Sequence, residues 1–154
     1  MQAFIGRVLF AFLFIGSFMN KYENFGVDGG PSAKMMAPKM DATKAKLEAA
    51  INAQFQPVSA FKFPEVADKD LLMVAMGLEA VGAVLYIFGF NLGARMLMLF
   101  LLAVTPIMHD FWNETDPDAQ TVNLIMFLKN VALFGQLLTF TAMNSASAKK
   151  QKTD

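Results

Sequence analysis

Four stretches of this chain run almost free of charge, and they set its pattern. The first spans about Ala3 to Met19 with Arg7 its only charge, and the second spans about Leu71 to Phe90 with Glu79 alone. The third runs from about Leu92 to Met108 with Arg95 near its start, and the fourth from about Thr121 to Met143 with Lys129 inside it. Each approaches the ~20 residues that cross ~30 Å of hydrocarbon at 1.5 Å per residue. Runs this long without charge leave no solvated face. In lipid the backbone must satisfy its own hydrogen bonds, so the blocks are expected to be helices. One such block alone would also suit the core of a soluble protein, but four in so short a chain point to an all-α bundle of four transmembrane helices.

The connections differ in kind. Gly89-Phe90-Asn91-Leu92-Gly93 separates the second and third blocks, and residues that tolerate left-handed geometry there predict a tight helical hairpin. Pro106 falls where the third block ends or kinks. The long first connection, residues 21–70, is polar. It opens with Phe25-Gly26-Val27-Asp28-Gly29-Gly30-Pro31, a run expected to form a fixed turn. Asp41 to about Phe55 reads as a short amphipathic helix with Met40, Leu47, Ile51 and Phe55 near one stripe, either lying on lipid headgroups or packing on the end of the bundle. Pro57 and Pro64 then mark an extended return, and residues 149–154 form a basic tail after a single membrane domain over 1–148.

Composition agrees with the pattern. Of 154 residues, 55% are hydrophobic and only 17% charged, against the quarter or so usual in soluble domains. With no cysteine, the chain itself carries neither disulfides, thiolate metal sites nor dithiol redox chemistry. A formal net charge of zero gives no case for a nucleic-acid partner. The first block has the positive start of a signal peptide, but its exit, Gly16-Ser17-Phe18-Met19-Asn20-Lys21, offers no clean small-residue cleavage site, so a retained helix is expected.

Charges at bilayer depth cost at least ~2.5–3.5 kcal/mol each on insertion scales, so each needs a partner or a task. Glu79 and Lys129 lie at matched depth, ~12 Å from the same surface by rise per residue, on two spans running the same way. Glu79 shares a face with Ala75, Gly82, Ala83 and Tyr86, and Lys129 with Ala132 and Gln136. Small residues permit close helix approach, so both charges are expected inside the bundle and paired with each other. Such a pair either fixes helix rotation or forms a polar site for a proton, a quinone head or a lipid head. His109-Asp110-Phe111-Trp112 reads as an interfacial anchor, and a single histidine without cysteine argues against a metal. The basic residues Arg7, Arg95, Lys149, Lys150 and Lys152 share a side opposite the acidic Asp110–Asp118 loop, which favours both termini on a cytosolic, matrix or stromal side. The sequon Asn113-Glu114-Thr115 lies so close to the membrane surface that glycosylation is not expected there.

Taken in order, Gly6-Arg7-Val8-Leu9, Glu79-x-x-Gly82, the hairpin from Gly89 to Arg95, His109-Asp110-Phe111-Trp112 and Lys129-Asn130-Val131-Ala132-Leu133-Phe134-Gly135 resemble the DoxX-like membrane family. The Phe25–Pro31 run, with Thr105-Pro106-Ile107 before His109, looks like its plant-type branch, the HR-like lesion-inducing proteins. The resemblance implies a four-helix membrane bundle. The broader family includes a small subunit of a thiosulfate:quinone oxidoreductase, partners of redox-defence enzymes and a relative that is a cargo receptor of the endoplasmic reticulum. The branch is associated by name with hypersensitive, lesion-type cell death.

No phosphate loop, nucleophile elbow or catalytic triad pattern is present in the sequence. The expected role is therefore a non-catalytic membrane accessory or subunit tied to redox metabolism or stress-linked cell death. Its partners would be the bilayer and other membrane proteins, in the endoplasmic reticulum or in a mitochondrial or plastid membrane. One alternative is a receptor or assembly factor binding protein cargo or lipid. Another is a quinone-reactive subunit built on Arg7, Glu79, Arg95 and His109, with Lys129 completing the candidate polar interior; no other cofactor and no metal is expected.

Overall fold

A computed structural model of the chain describes residues 1–55 and 59–150, with side chains as far as residue 146. Five α-helices follow in order: α1 Gln2–Glu23, α2 Gly30–Phe55, α3 Asp68–Ile87, α4 Asn91–Met108 and α5 Pro117–Lys150, with a short 3-10 turn at Phe111–Asn113. Four of them, all but α2, are long and apolar enough to cross a membrane. Each outgrows or shifts the apolar block that announced it, because helices continue through the polar residues flanking a hydrophobic run. Asp68 and Asp70 occupy the first turn of α3 and Lys21 the last turn of α1, where each sign suits the helix dipole. Pro57 and residues 151–154 of the basic tail lie outside the described residues; Lys149 and Lys150 close α5.

α3 packs against α1 and α4, and α4 packs against α5. The α3–α4 contact is close because glycine makes it so: a Cβ on Gly93 would stand 2.3 Å from the Tyr86 backbone nitrogen and 2.6 Å from the Gly82 oxygen. Tyr86 is buried at the centre, its ring 5.1 Å from Phe10 of α1 and 4.7 Å from Phe140 of α5. Outward faces are apolar, with Leu9, Phe12, Val74, Leu102 and Ile125 all more than half exposed. A soluble protein rarely leaves so much contiguous apolar surface in water, whereas a bundle in lipid requires it.

The predicted hairpin is present, and both outer helices hold it. Arg7 Nε of α1 donates to the Ile87 carbonyl at 2.9 Å, satisfying one of the unpaired carbonyls at the end of α3. From α5, Asn144 Nδ2 donates to the Gly89 carbonyl at 3.1 Å and to Asn91 Oδ1 at 3.0 Å.

The first connection corrects the expectation of a long loop with a short helix over 41–55. α2 begins eleven residues earlier, at Gly30, and has 26 residues. The turn before it is fixed as expected: Gly30 has φ +63, and a Cβ there would stand 1.7 Å from the Asn24 oxygen, so only glycine fits. Ala33 and Met36 of α2 are buried with Leu72 and Met76 of α3. Lys39 Nζ reaches the Met108 carbonyl at 3.0 Å and Asp110 Oδ1 at 2.8 Å, with Glu114 Oε1 at 3.6 Å. α2 therefore caps the end of the bundle opposite the α3–α4 hairpin. The return segment is tied to it by two hydrogen bonds between Asn52 and Phe61, and by Phe63 N donating to Glu48 Oε1 at 2.7 Å. Of the predicted stripe, Met40 and Ile51 are half-buried, while Leu47 and Phe55 are exposed.

Candidate functional site

Glu79 lies on the buried face of α3, one turn before Gly82 and Ala83 and two before Tyr86, so the small-residue face places the carboxylate inside as expected. Its side chain is 1% exposed. Its partner is not Lys129. Lys21 Nζ stands 2.6 Å from Glu79 Oε2, and the same ammonium donates to Ser17 Oγ at 2.8 Å. It also lies 5.3 Å from the centre of the Phe100 ring. An ammonium has three protons to place, and a carboxylate, a hydroxyl and an aromatic face accept them. In surroundings of low dielectric the ion pair removes much of the penalty either charge would carry alone.

The expected Glu79–Lys129 pair fails because α1 does not stop where its apolar block ends at Met19. The helix continues to Glu23, and Ser17 and Lys21, one turn apart, fall on the face that Phe14 also occupies. Lys129 is exposed on α5, its Nζ 3.4 Å from Met126 Sδ. Arg7 is half-buried and serves the hairpin, and Arg95 is exposed on α4. Those two are thus apart from Glu79.

The remaining candidates do meet. A cavity of about 270 Å³ is lined by Lys21, Glu79, His109, Lys129 and Asn130, with apolar walls that include Phe14, Phe100, Leu101 and Leu133. α1 and α5 supply its two sides and α3 and α4 its back. His109, just past the end of α4, has its Nδ1 buried with no hydrogen-bond partner among the described residues. Ser17, Lys21 and Asn130 were not singled out from sequence. The available signal for the first two was the spacing Phe14, Ser17, Lys21, which keeps one helix face through the polar residues.

A sequence model of the HR-like lesion-inducing family matches residues 1–143. The chain belongs to this family. No curated protein and no solved structure matches the chain. In this HR-like lesion-inducing protein the matched region takes in α1 to α4, α5 as far as residue 143 and every residue of the cavity. Family and helices together fit a membrane protein linked to hypersensitive cell death. What the cavity offers chemically is an apolar slot with a buried ion pair at its back, a second ammonium at its edge and an unpartnered imidazole nitrogen.

Proposed function

We propose that this protein is a non-catalytic membrane subunit or accessory factor acting in stress-linked, hypersensitive-type cell death. The observation that carries the reading is the family match over residues 1–143 of a chain with four apolar helices. The interior supports it as well. Glu79, the one fully buried carboxylate among the described residues, is committed to Lys21 in a pair that holds α1 against α3. The test is extraction in a mild detergent at native abundance, followed by mass spectrometry of what co-purifies. The expected result is a stoichiometric membrane-protein partner, lost when the protein is deleted. Recovery of the chain alone, with lesion formation unchanged in the deletion, would overturn the proposal.

A second reading is a quinone-reactive subunit of DoxX-like type. The proximity of His109 to the Lys21–Glu79 pair around one cavity favours it. Of the residues this reading invokes, Arg7 and Arg95 stand outside that cavity, leaving Glu79 and His109 as its support. A quinone co-extracted in stoichiometric amount would select this reading, and secretory cargo would select a receptor.

A further inference from the structure

The cavity has a direction. At its back Glu79 is 1% exposed and Phe100 6%, whereas at its edges Leu13 of α1 and Lys129 of α5 are exposed. α1 and α5 are not among the helix pairs that pack extensively among the described residues. The slot therefore opens sideways between those two helices, toward the surface that the bundle presents to lipid. An occupant arriving from the bilayer would enter without crossing water.

The charge is unbalanced in one sense. Lys21 is neutralised by Glu79, but Lys129 has no carboxylate within ion-pair distance among the described residues, and its ammonium meets only a thioether. Two lysines against one glutamate leave the lining one positive charge in excess. His109 Nδ1 adds an imidazole position that no group among the described residues satisfies. Uncompensated charge at apolar depth is costly, and a bound anion would neutralise it, its oxygens also accepting from His109 Nδ1 in the tautomer that carries the proton there. The apolar walls beyond the polar groups suit the start of a hydrocarbon chain.

We propose that the slot between α1 and α5 binds the head of a monoanionic lipid, its carboxylate or phosphodiester oxygens held by Lys129 with His109 beside it. Lys21 and Glu79 form the fixed back wall, and the acyl chain leaves through the lateral opening. A neutral quinone head would leave the excess charge unanswered. Phosphatidylcholine, which is zwitterionic, brings a bulky cation to the site together with its phosphate.

Photo-crosslinking tests this on the full chain reconstituted in phosphatidylcholine vesicles. Diazirine-bearing palmitate and diazirine-bearing phosphatidylglycerol, each at a few mole per cent, supply the two sources of a monoanionic head. Labelling by either is expected to concentrate on α1 around Leu13–Lys21 and on α5 around Lys129–Leu133. Whichever probe labels more strongly identifies the source. Lys129→Gln should reduce that labelling about tenfold, the loss expected when a charge-assisted hydrogen bond is removed. Lys129→Arg should retain most of it, and Arg95→Gln, at an exposed cation elsewhere, should change nothing. Because Lys129 is exposed, its replacement should leave the fold intact, which a single symmetric elution peak in detergent verifies. Labelling spread evenly over the outward faces, labelling indifferent to Lys129→Gln, or equal displacement by a neutral quinone would each overturn the proposal. The inference rests on the helices lying in a bilayer. Failure of that premise would show separately, as release of the chain by alkaline carbonate.

Discussion

A carboxylate among apolar helices survives by what it touches. Glu79 has Lys21 at 2.6 Å, and Lys21 in turn has Ser17 and the Phe100 ring. Removing one partner of a buried pair leaves the other uncompensated, typically at a cost of several kcal/mol, whereas removing both is often tolerated. Lys21 is one-fifth exposed, so its loss belongs at the low end. Glu79→Gln or Lys21→Met alone should destabilise the detergent-solubilised protein by about 3 kcal/mol. The double change should recover at least half of the summed loss, while Glu79→Gln with Lys129→Met should recover none. Thermal unfolding of the four variants measures this, and additivity of the first pair would dismiss the coupling. That Glu79 turns inward was legible from Gly82, Ala83 and Tyr86 on its face. Its partner was not, because matching depths between Glu79 and Lys129 compares only charges lying inside apolar blocks. A lysine one turn beyond a block can bend back along the helix surface and carry its ammonium to greater depth.

At the scale of elements, α2 is where sequence and structure diverge most. Gly29-Gly30-Pro31 reads as a chain-breaking turn, and the stripe from Met40 to Phe55 places the expected helix only from Asp41. Pro31, however, sits in the first turn, where the missing N–H costs nothing. Burial of Ala33 and Met36 against α3 offsets the cost of Pro38 within the helix. Tertiary contact decides that segment, and a local pattern does not contain it. The hairpin, by contrast, was readable, since Gly89 and Gly93 announce both the turn and the close packing after it. Lys39 and Lys46 tie α2 to the bundle by polar contacts, Lys39 reaching Met108, Asp110 and Glu114 and Lys46 donating to Asn113 Oδ1 at 2.9 Å. Lys39→Met should raise amide hydrogen exchange across residues 33–52 at least about tenfold, an opening cost lowered by roughly 1.5 kcal/mol. Exchange in α3 and α4 should stay unchanged. Uniform acceleration throughout would instead mean that α2 is integral to the core.

For the molecule as a whole, the start of α1 and the last turns of α5 lie at the hairpin end of the bundle, and α2 lies at the other end. The two outer helices, α1 and α5, are tied at the hairpin end by Arg7 and Asn144 and stand apart around the cavity toward the α2 end. The Lys21–Glu79 pair pins α1 at the cavity, so α5 is the arm expected to swing about the Asn144 end. Lys129 lies fifteen residues before Asn144, an arm of ~22 Å at the rise of a helix. A tilt of about 5° at the pivot would thus move the Lys129 end by roughly 2 Å while hardly disturbing the hairpin. The chain has no cysteine of its own, so spin labels can be placed at will. Labels at residues 13 and 128 should give a broader distance distribution than labels at residues 6 and 142, and Asn144→Ala should widen the latter. Equal widths at both ends would mean that the two helices move as one body. Leverage of this kind makes the width of the slot a property set from the far end of the bundle, where a partner gripping the hairpin would set its aperture without ever touching it.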